Sequence, residues 1–308
     1  MKIKDWLDQT TDTLRDAGIE SARLDAELLL CDNSLLPSVY NDDIPESREE
    51  IITKLDDELS ESTIDSLSRY VSRRAMHEPL AYVNRHKEFY GRSFHVDYDV
   101  LIPRPETETL IEIAKNLAPK KLLDVGTGSG CIAVTLDCEL PEAEVTACDT
   151  SRKALIIALK NSFIIEGFNY GRPNSSLEDF SHALSLQRNH KKPANFCGIN
   201  FVQSDLLDNI DGGFDLIVAN LPYIDAKDPD WKMSEELKFE PRRALFAGTH
   251  GTALMRKLIR QAPKNLERNG HLLFEMDTRQ LDMVSKYASQ HDFKEIERQP
   301  FALLLQRV

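Results

Sequence analysis

Four consecutive residues, Asn220-Leu221-Pro222-Tyr223, combine side chains that could bind an amino or amide group. They follow the apolar run 214–219, which is typical of a buried strand, so they are expected just past the carboxyl end of that strand. Open α/β sheets bind their ligands at that end. An amide, a rigid proline and an aromatic ring would form a small polar slot with one flat wall. Since Asn and Pro are also common turn residues, a strand-ending turn is the alternative.

A second candidate site is the glycine-rich stretch Gly126-Thr127-Gly128-Ser129-Gly130, which lies between the apolar run 122–125 and the helical run 131–140. A strand, a tight glycine turn and a helix N-terminus begin a nucleotide-binding βαβ unit. The dinucleotide fingerprint G-x-G-x-x-G requires glycine at position 131, where this chain has cysteine. The spacing G-x-G-x-G, with the acid Asp124 before it, therefore favours S-adenosylmethionine (SAM) over NAD.

Two further acids follow predicted strands. Asp149 ends the run 144–148, at a distance suited to a carboxylate that binds ribose hydroxyls, and it could also cap the helix expected from about Ser151. Asp205 ends the run 201–204. Asp205 or its neighbour Leu206 would then lie near an adenine ring, although an aspartate in a turn is nearly as good an interpretation.

An arginine stands between two prolines in the stretch Leu101-Ile102-Pro103-Arg104-Pro105-Glu106-Thr107-Glu108. The prolines prevent a helix until after Pro105, and the two glutamates suit the first turn of the helix that follows. A capped helix start explains the prolines and the glutamates but not Arg104. We expect Arg104 near the ligand-binding edge of the sheet.

The elements that would position these residues fall into two patterns. Residues 1–78 show helical periodicity and predict a small helical domain. Residues 79–100, aromatic and β-branched around Gly91, predict a β-hairpin linker. In residues 101–308 strands alternate with helices, which predicts a doubly wound α/β sheet with helices on both faces. Residues 171–198, rich in polar residues and proline, are predicted to be an inserted surface loop.

The composition narrows the class of protein. With 41% hydrophobic and 29% charged residues and no run of about 20 apolar residues, no membrane span is expected. The N-terminus lacks a secretory signal, so the expected compartment is the cytoplasm. The five cysteines show no metal-binding spacing. A net charge of -13 argues against a broad grip on nucleic acid and suits a protein or small-molecule partner better.

Four stretches resemble, in order and spacing, the bacterial peptide-chain release factor glutamine N5-methyltransferases. They are residues 101–108, residues 124–130, Asn220-Leu221-Pro222-Tyr223-Ile224 and Phe239-Glu240-Pro241-Arg242. The glycine loop is common to many SAM enzymes, whereas I-P-R-P-E-T-E combined with E-P-R is far more specific. The resemblance implies a seven-stranded, Rossmann-like, SAM-dependent methyltransferase sheet with an antiparallel last strand, and a helical domain that recognises the substrate. It also implies that substrate, the glutamine in the Gly-Gly-Gln loop of class 1 release factors.

The resemblance also implies roles for individual residues. Gly126 to Gly130 would hold SAM, with Asp149 on its ribose and Leu206 beside its adenine. From their own positions at the same edge, Asp205 is also expected beside the adenine and Asn220 in contact with SAM. Residues 220–223 would hold the glutamine amide, Asn220, Pro222 and Tyr223 being catalytic, and Arg104 would also bind the substrate. Asn220 Oδ1 and the Leu221 carbonyl would accept the two amide N–H bonds while Tyr223 packs against the amide.

One departure from the family pattern keeps an alternative open. The family usually has Asn-Pro-Pro-Tyr, and this chain has Leu221 at the second position. Asn-Leu-Pro-Tyr is similar to the motif of RNA adenine dimethylases, so an N6-adenine methyltransferase acting on RNA or DNA is the first alternative. It is disfavoured by the acidic charge and the I-P-R-P-E-T-E stretch. A second alternative is a SAM-binding interaction protein without catalysis, which the intact Asn220 and Pro222-Tyr223 disfavour.

Overall fold

A computed structural model describes residues 1–32, 35, 44–165, 198–228 and 233–308 of the chain. Its contacts divide the chain into two compact units. The first comprises Met1–His86 together with Met233–Phe239, and the second comprises Lys87–Lys232 together with Glu240–Val308. The predicted inserted loop, except for Gly198, lies outside the described residues. The domain boundaries predicted at residues 78 and 100 stay a proposal.

The first unit is helical. Its helices are Ile3–Asp16, Ala22–Cys31, Arg48–Lys54, Glu61–Ala75 and Leu80–Asn84. Apolar side chains at helical spacing, including Trp6, Leu7, Leu29 and Leu67, form its buried core, as the periodicity of residues 1–78 indicates.

A buried ion pair joins three segments of the helical unit. Arg74 Nε donates to Asp25 Oδ2 at 2.6 Å, and Arg74 Nη2 donates to Glu236 Oε1 at 2.6 Å. Arg74 and Asp25 are each 4% exposed. Because an unpaired buried charge costs several kcal/mol, this arginine fastens the short segment Met233–Phe239 to the helices.

A hairpin follows, with strands β1 (His86–Phe89) and β2 (Arg92–His95). Its two-residue turn has Tyr90 at φ 51° and Gly91 at φ 69°, the signature of a type I′ turn. The hairpin expected around Gly91 is present, but the expectation of extended structure from Pro79 is wrong. Pro79 instead precedes the helix Leu80–Asn84, because proline is well tolerated where a helix begins.

The second unit contains a seven-stranded sheet. Its strands are β3 (Lys121–Val125), β4 (Glu144–Asp149), β5 (Asn200–Gln203), β6 (Phe214–Asn220), β7 (Leu266–Glu275), β8 (Phe293–Gln299) and β9 (Ala302–Arg307). The order is β5-β4-β3-β6-β7-β9-β8, with β9 antiparallel to both neighbours and the other pairs parallel. The doubly wound sheet with an antiparallel last strand is confirmed. Strand β8 was not anticipated from the residue pattern.

Helices cover both faces of this sheet. Glu108–Leu117, Cys131–Glu139 and Arg152–Ile165 contribute to one buried cluster, and Ala253–Gln261 and Leu281–Ala288 contribute to the other. Shorter helical segments are Pro105–Thr107, Arg242–Leu245, Thr249–Gly251, Ala262–Lys264 and Thr278–Gln280. Within the described ranges, no helix combines the length and apolar character needed to cross a membrane.

Candidate active site

One cavity opens where the strand order reverses, between β3 and β6. Val125 at the end of β3 is in register with Cys148 of β4 and Ala219 of β6, so the carboxyl ends of these strands meet at one edge. The glycine loop, Asp149 and the tetrapeptide follow these ends, as expected for a ligand site at a topological switch point. The residues lining the cavity include Arg104, Gly126, Thr127, Gly128, Ser129, Asp149, Asp205, Leu206, Asn220, Leu221, Pro222 and Arg243.

The glycine loop turns tightly at the end of β3. The N–H groups of Gly126 and Thr127 both donate to the Cys148 carbonyl, at 2.8 and 2.9 Å. Gly126 has φ +78°, and a Cβ there would lie 3.0 Å from Leu221 Cδ2. Gly130, at φ +82°, starts the helix Cys131–Glu139, where a Cβ would lie 2.9 Å from the Cβ of Ala158. Glycine is therefore required at both positions, and the loop touches the tetrapeptide through Leu221.

Asp149 is held in place by the loop beside it. Its Oδ2 accepts the Gly128 N–H at 3.0 Å and its Oδ1 accepts the Ser151 N–H at 2.7 Å. Burial raises the pKa of Asp149, and these two bonds and the charge of Arg243 oppose that rise. Because the carboxylate lines the cavity and keeps further lone pairs, it can accept from a sugar diol.

Arg243 also lines the cavity and was not predicted. Its Nη2 donates to Ser151 Oγ at 2.5 Å, close to Asp149. Arg243 could have been identified as a candidate from the sequence because it directly follows the E-P-R motif.

Asp124 is a buried acid beneath the loop. It is 0% exposed, and the Thr127 hydroxyl and the Ala133 N–H lie beside its carboxylate. Burial raises its pKa to about 7. Thr127 lines the cavity, so this buried acid lies directly behind the cavity wall. An ionised Asp124 behind this wall would favour a cationic ligand such as SAM.

The tetrapeptide divides between the cavity and the core. Asn220, Leu221 and Pro222 line the cavity, whereas Tyr223 is not part of its wall. Tyr223 packs against the apolar cluster on one face of the sheet, and its carbonyl accepts from Gln280 Nε2 at 2.7 Å. Its predicted contact with a substrate amide stays a prediction.

A buried glutamate that sequence reasoning missed lies behind the tetrapeptide. Glu275 ends β7 in register with Asn220, and it is 2% exposed. Its Oε2 accepts from Thr107 Oγ1 at 2.6 Å, and Asn220 Nδ2 donates to the same Thr107 oxygen at 3.2 Å. Burial raises the pKa of Glu275 to about 7, although hydrogen bonds from Thr107, Asn220 and Tyr223 stabilise its charge.

The two most specific motifs meet at another buried glutamate. Arg104 Nη2 donates to Glu240 Oε1, and the Ile102 N–H donates to Glu240 Oε2 at 3.1 Å. Glu240 is 3% exposed. The E-P-R motif thereby fixes the loop that carries Arg104 at the cavity, where the sequence placed that arginine.

The remaining predicted residues lie at the far side of the cavity. Asp205 and Leu206 both line it, but Asp205 also pairs with Lys257 at 2.7 Å. Leu206 is buried and adopts φ +51°. Among the described residues, no group of three metal-ligating side chains converges.

Comparison with known proteins places the chain in a family. Residues 5–83 match the PrmC N-terminal domain and residues 105–163 match the methyltransferase small domain. The chain is 36% identical to a release factor glutamine methyltransferase of Koribacter versatilis, over 90% of this chain and 86% of that one. It is 33% identical to one of Rhodopirellula baltica, over 96% and 90%.

A bifunctional methyltransferase of Rickettsia felis is 31% identical over 92% of this chain, which spans about half (53%) of that relative's length. The Koribacter and Rhodopirellula relatives match over nearly their whole length, and the cavity unites the glycine loop with the tetrapeptide. The chain is a SAM-dependent methyltransferase and belongs to the release factor glutamine methyltransferase family.

Proposed function

We propose that the protein transfers a methyl group from SAM to the side-chain amide nitrogen (N5) of the glutamine in the Gly-Gly-Gln loop of class 1 release factors. The observation that carries the proposal is the shared cavity, since Asn220, Leu221 and Pro222 line the same space as Gly126 to Ser129 and Asp149. A methyl donor on the glycine loop would therefore lie next to an amide-sized polar slot. Family membership supplies the substrate class.

The chain's own residues have a positioning task. An amide nitrogen is a weak nucleophile because its lone pair is delocalised into the carbonyl, and SAM, when bound, supplies an electrophilic methyl group. Asn220 Oδ1 and the Leu221 carbonyl accept the two N–H bonds of the glutamine and hold its nitrogen in line. The new N–C bond would form as the methyl–sulfur bond of SAM breaks, with S-adenosylhomocysteine as the leaving group. The nitrogen-bound proton then becomes acidic and can be lost to solvent, so a strong general base is not required.

The cofactor is held by the other side of the cavity. In this proposal Gly126 to Gly130 approach the methionine part of SAM, Asp149 accepts from its ribose hydroxyls, and Asp205 and Leu206 lie beside its adenine. Asn220 contacts both ligands. Residues 1–78 recognise the release factor, the hairpin segment 79–100 links them to the catalytic part, and the reaction takes place in the cytoplasm, where release factors act.

Mass spectrometry tests this directly. Incubation with SAM and a class 1 release factor should add one methyl group to the Gly-Gly-Gln glutamine and none to a Gln→Ala version of that loop. A parallel reaction with labelled SAM and RNA or DNA covers the alternative suggested by Leu221. Labelled nucleic acid with an unmodified release factor would contradict the proposal.

A further inference from the structure

A short hydrogen-bonded chain ends on Asn220. Asn220 Nδ2 donates to Thr107 Oγ1 at 3.2 Å, and Thr107 Oγ1 donates to Glu275 Oε2 at 2.6 Å. Thr107 is 1% exposed and Glu275 is 2% exposed, so water does not compete for these bonds. These two hydrogen bonds connect residues from three separate elements, the turn Pro105–Thr107 and the ends of β6 and β7.

The donor and acceptor groups of these three side chains fix the direction of both hydrogen bonds. An ionised carboxylate only accepts hydrogen bonds, so Thr107 must use its single proton to donate to Glu275. The Thr107 oxygen can then only accept from Asn220, and the amino group of that amide must face it. The Asn220 side chain also lies near enough to the Glu275 carboxylate to stabilise its charge, which favours the same orientation. The amide oxygen is therefore the atom left for the cavity that Asn220 lines.

We propose that Thr107 and Glu275 are positioning residues that lock the Asn220 amide with its oxygen toward the substrate. The inference rests on the proposed function, in which that oxygen accepts an N–H bond of the methylated amide. With the amide reversed, the NH2 group of Asn220 would face the N–H groups of the substrate, and no hydrogen bond could form between them. Thr107 and Glu275 thereby favour a substrate whose methyl-accepting nitrogen carries N–H bonds.

The titratable groups around Glu275 determine the pH range in which Glu275 is ionised and the Asn220 amide keeps this orientation. Tyr223 hydrogen-bonds to the carboxylate, the charge of Glu106 opposes its ionisation, and the Cys131 thiol interacts with it from the helix that follows the glycine loop. A protonated Glu275 can donate to Thr107, which can then donate to the Asn220 oxygen. That reversal turns the amino group toward the cavity, so methyl transfer should fall as Glu275 takes up a proton.

Variants of Thr107 separate positioning from bulk. Thr107→Val keeps the shape but removes the hydroxyl, and we expect the single-turnover rate at saturating SAM to fall roughly 10-fold or more. Thr107→Ser keeps the hydroxyl and should restore most of the rate. Thr135→Val is the matched control, because Thr135 is likewise buried (0% exposed, against 1% for Thr107) and its hydroxyl has no hydrogen-bond partner in the described ranges. The dissociation constant for SAM should change by less than about 3-fold in all three.

The pH profile adds a readout that a purely structural role would not move. The wild-type rate should fall below about pH 7, and in Thr107→Val the midpoint of this fall should move to higher pH, since the carboxylate loses a donor. Glu275→Gln should be slow and should lack this acidic limb. A Thr107→Val enzyme with the wild-type rate and profile would overturn the inference, and if that variant fails to fold, wild-type behaviour of Glu275→Gln would do the same.

A measurement independent of activity separates this inference from the proposed function. The side-chain NH2 signals of Asn220, identified in a ¹⁵N spectrum by their loss in Asn220→Ala, should exchange slowly with solvent in the wild type and faster in Thr107→Val. Equal exchange in the two proteins contradicts the lock. Slow exchange in a wild-type enzyme that leaves the release factor unmodified supports the lock and rejects the substrate assignment.

Discussion

Arg104 donates a hydrogen bond to Glu240 across 136 residues of sequence, which joins the loop before the first helix of the sheet unit to the E-P-R motif. The guanidinium side chain is 35% exposed, whereas the carboxylate side chain is 2% exposed. The two ends of this bond therefore respond differently to substitution.

We expect Arg104→Ala to lower the free energy of unfolding by about 2 kcal/mol, because it leaves a buried carboxylate without this cation. Arg104→Ala combined with Glu240→Gln should recover part of that loss, since the buried charge is then also removed. Urea denaturation of the single and double variants measures both values. A double variant less stable than Arg104→Ala would show that the pair is not coupled in this way.

The close approach of the glycine loop to the tetrapeptide gives a second prediction. Gly126→Ala should destabilise the fold by about 2 kcal/mol, because it combines a positive φ with a contact to Leu221, and it should weaken SAM binding. Gly18→Ala is the matched control, as Gly18 has φ +83° and open space around the added Cβ. Its cost should be about 1 kcal/mol, from backbone strain alone.

Gly126→Ala should cost less in a Leu221→Ala background than in the wild type, because the smaller side chain relieves the steric part and leaves the backbone part. Denaturation of the wild type, the two single variants and the double variant measures this difference and allows for the cavity that Leu221→Ala leaves. Equal losses for Gly126→Ala and Gly18→Ala would mean that the loop does not pack tightly against Leu221.

The two acids assigned to the cofactor should differ in importance. Asp149 is partly buried and held by two backbone N–H groups, whereas Asp205 is exposed and paired with Lys257. Asp149→Asn should therefore weaken SAM binding roughly 10- to 100-fold, and Asp205→Asn by no more than about 3-fold. Isothermal titration calorimetry gives both constants, and the reverse order would contradict the assignment of Asp149 to the ribose.

Glu275 also predicts a pH dependence of stability. Burial raises its pKa in the folded state to about 7, from 4.5. The folded protein therefore binds a proton between these values that the unfolded chain has released, and this group stabilises the fold below about pH 4.5 and loses that contribution as the pH rises through 7. Glu275→Gln carries no such charge.

Between pH 5 and pH 8 the wild type should lose on the order of 2 kcal/mol of stability relative to Glu275→Gln. Urea denaturation of both proteins at the two pH values measures this difference, and the change due to Asp124, whose pKa burial also raises, cancels because both proteins contain it. If the free energy of unfolding varied with pH in the same way in both proteins, ionisation of Glu275 would not destabilise the folded state.

The sequence predicts the parallel strands well because their apolar runs are continuous and buried on both faces. It does not predict β8, because Phe293 is the only buried residue of that strand and the exposed residues after it do not alternate with apolar ones. This strand pairs on one side only, at the edge of the sheet, so no apolar period marks it. The helix Leu80–Asn84 escaped notice because its Tyr82 and Val83 are also typical of strands.

The site shows the same division. Gly126 to Gly130, Asp149 and Asn220 are recognisable because each follows a strand and has a distinctive residue type. Thr107 and Glu240 lie in the two most specific motifs, but their roles, like that of Glu275, come from partners between 113 and 168 residues away in the chain. Strand register brings Glu275 beside Asn220, and register between distant strands cannot be derived from one local pattern.

If Asn220 orients the methylated amide, its removal should slow methyl transfer itself, which the single-turnover rate of Asn220→Ala at saturating SAM measures. We predict a fall of roughly 100-fold or more in methyl transfer to the Gly-Gly-Gln glutamine, with SAM still bound. Transfer at a near wild-type rate by an Asn220→Ala enzyme that binds SAM would contradict the account.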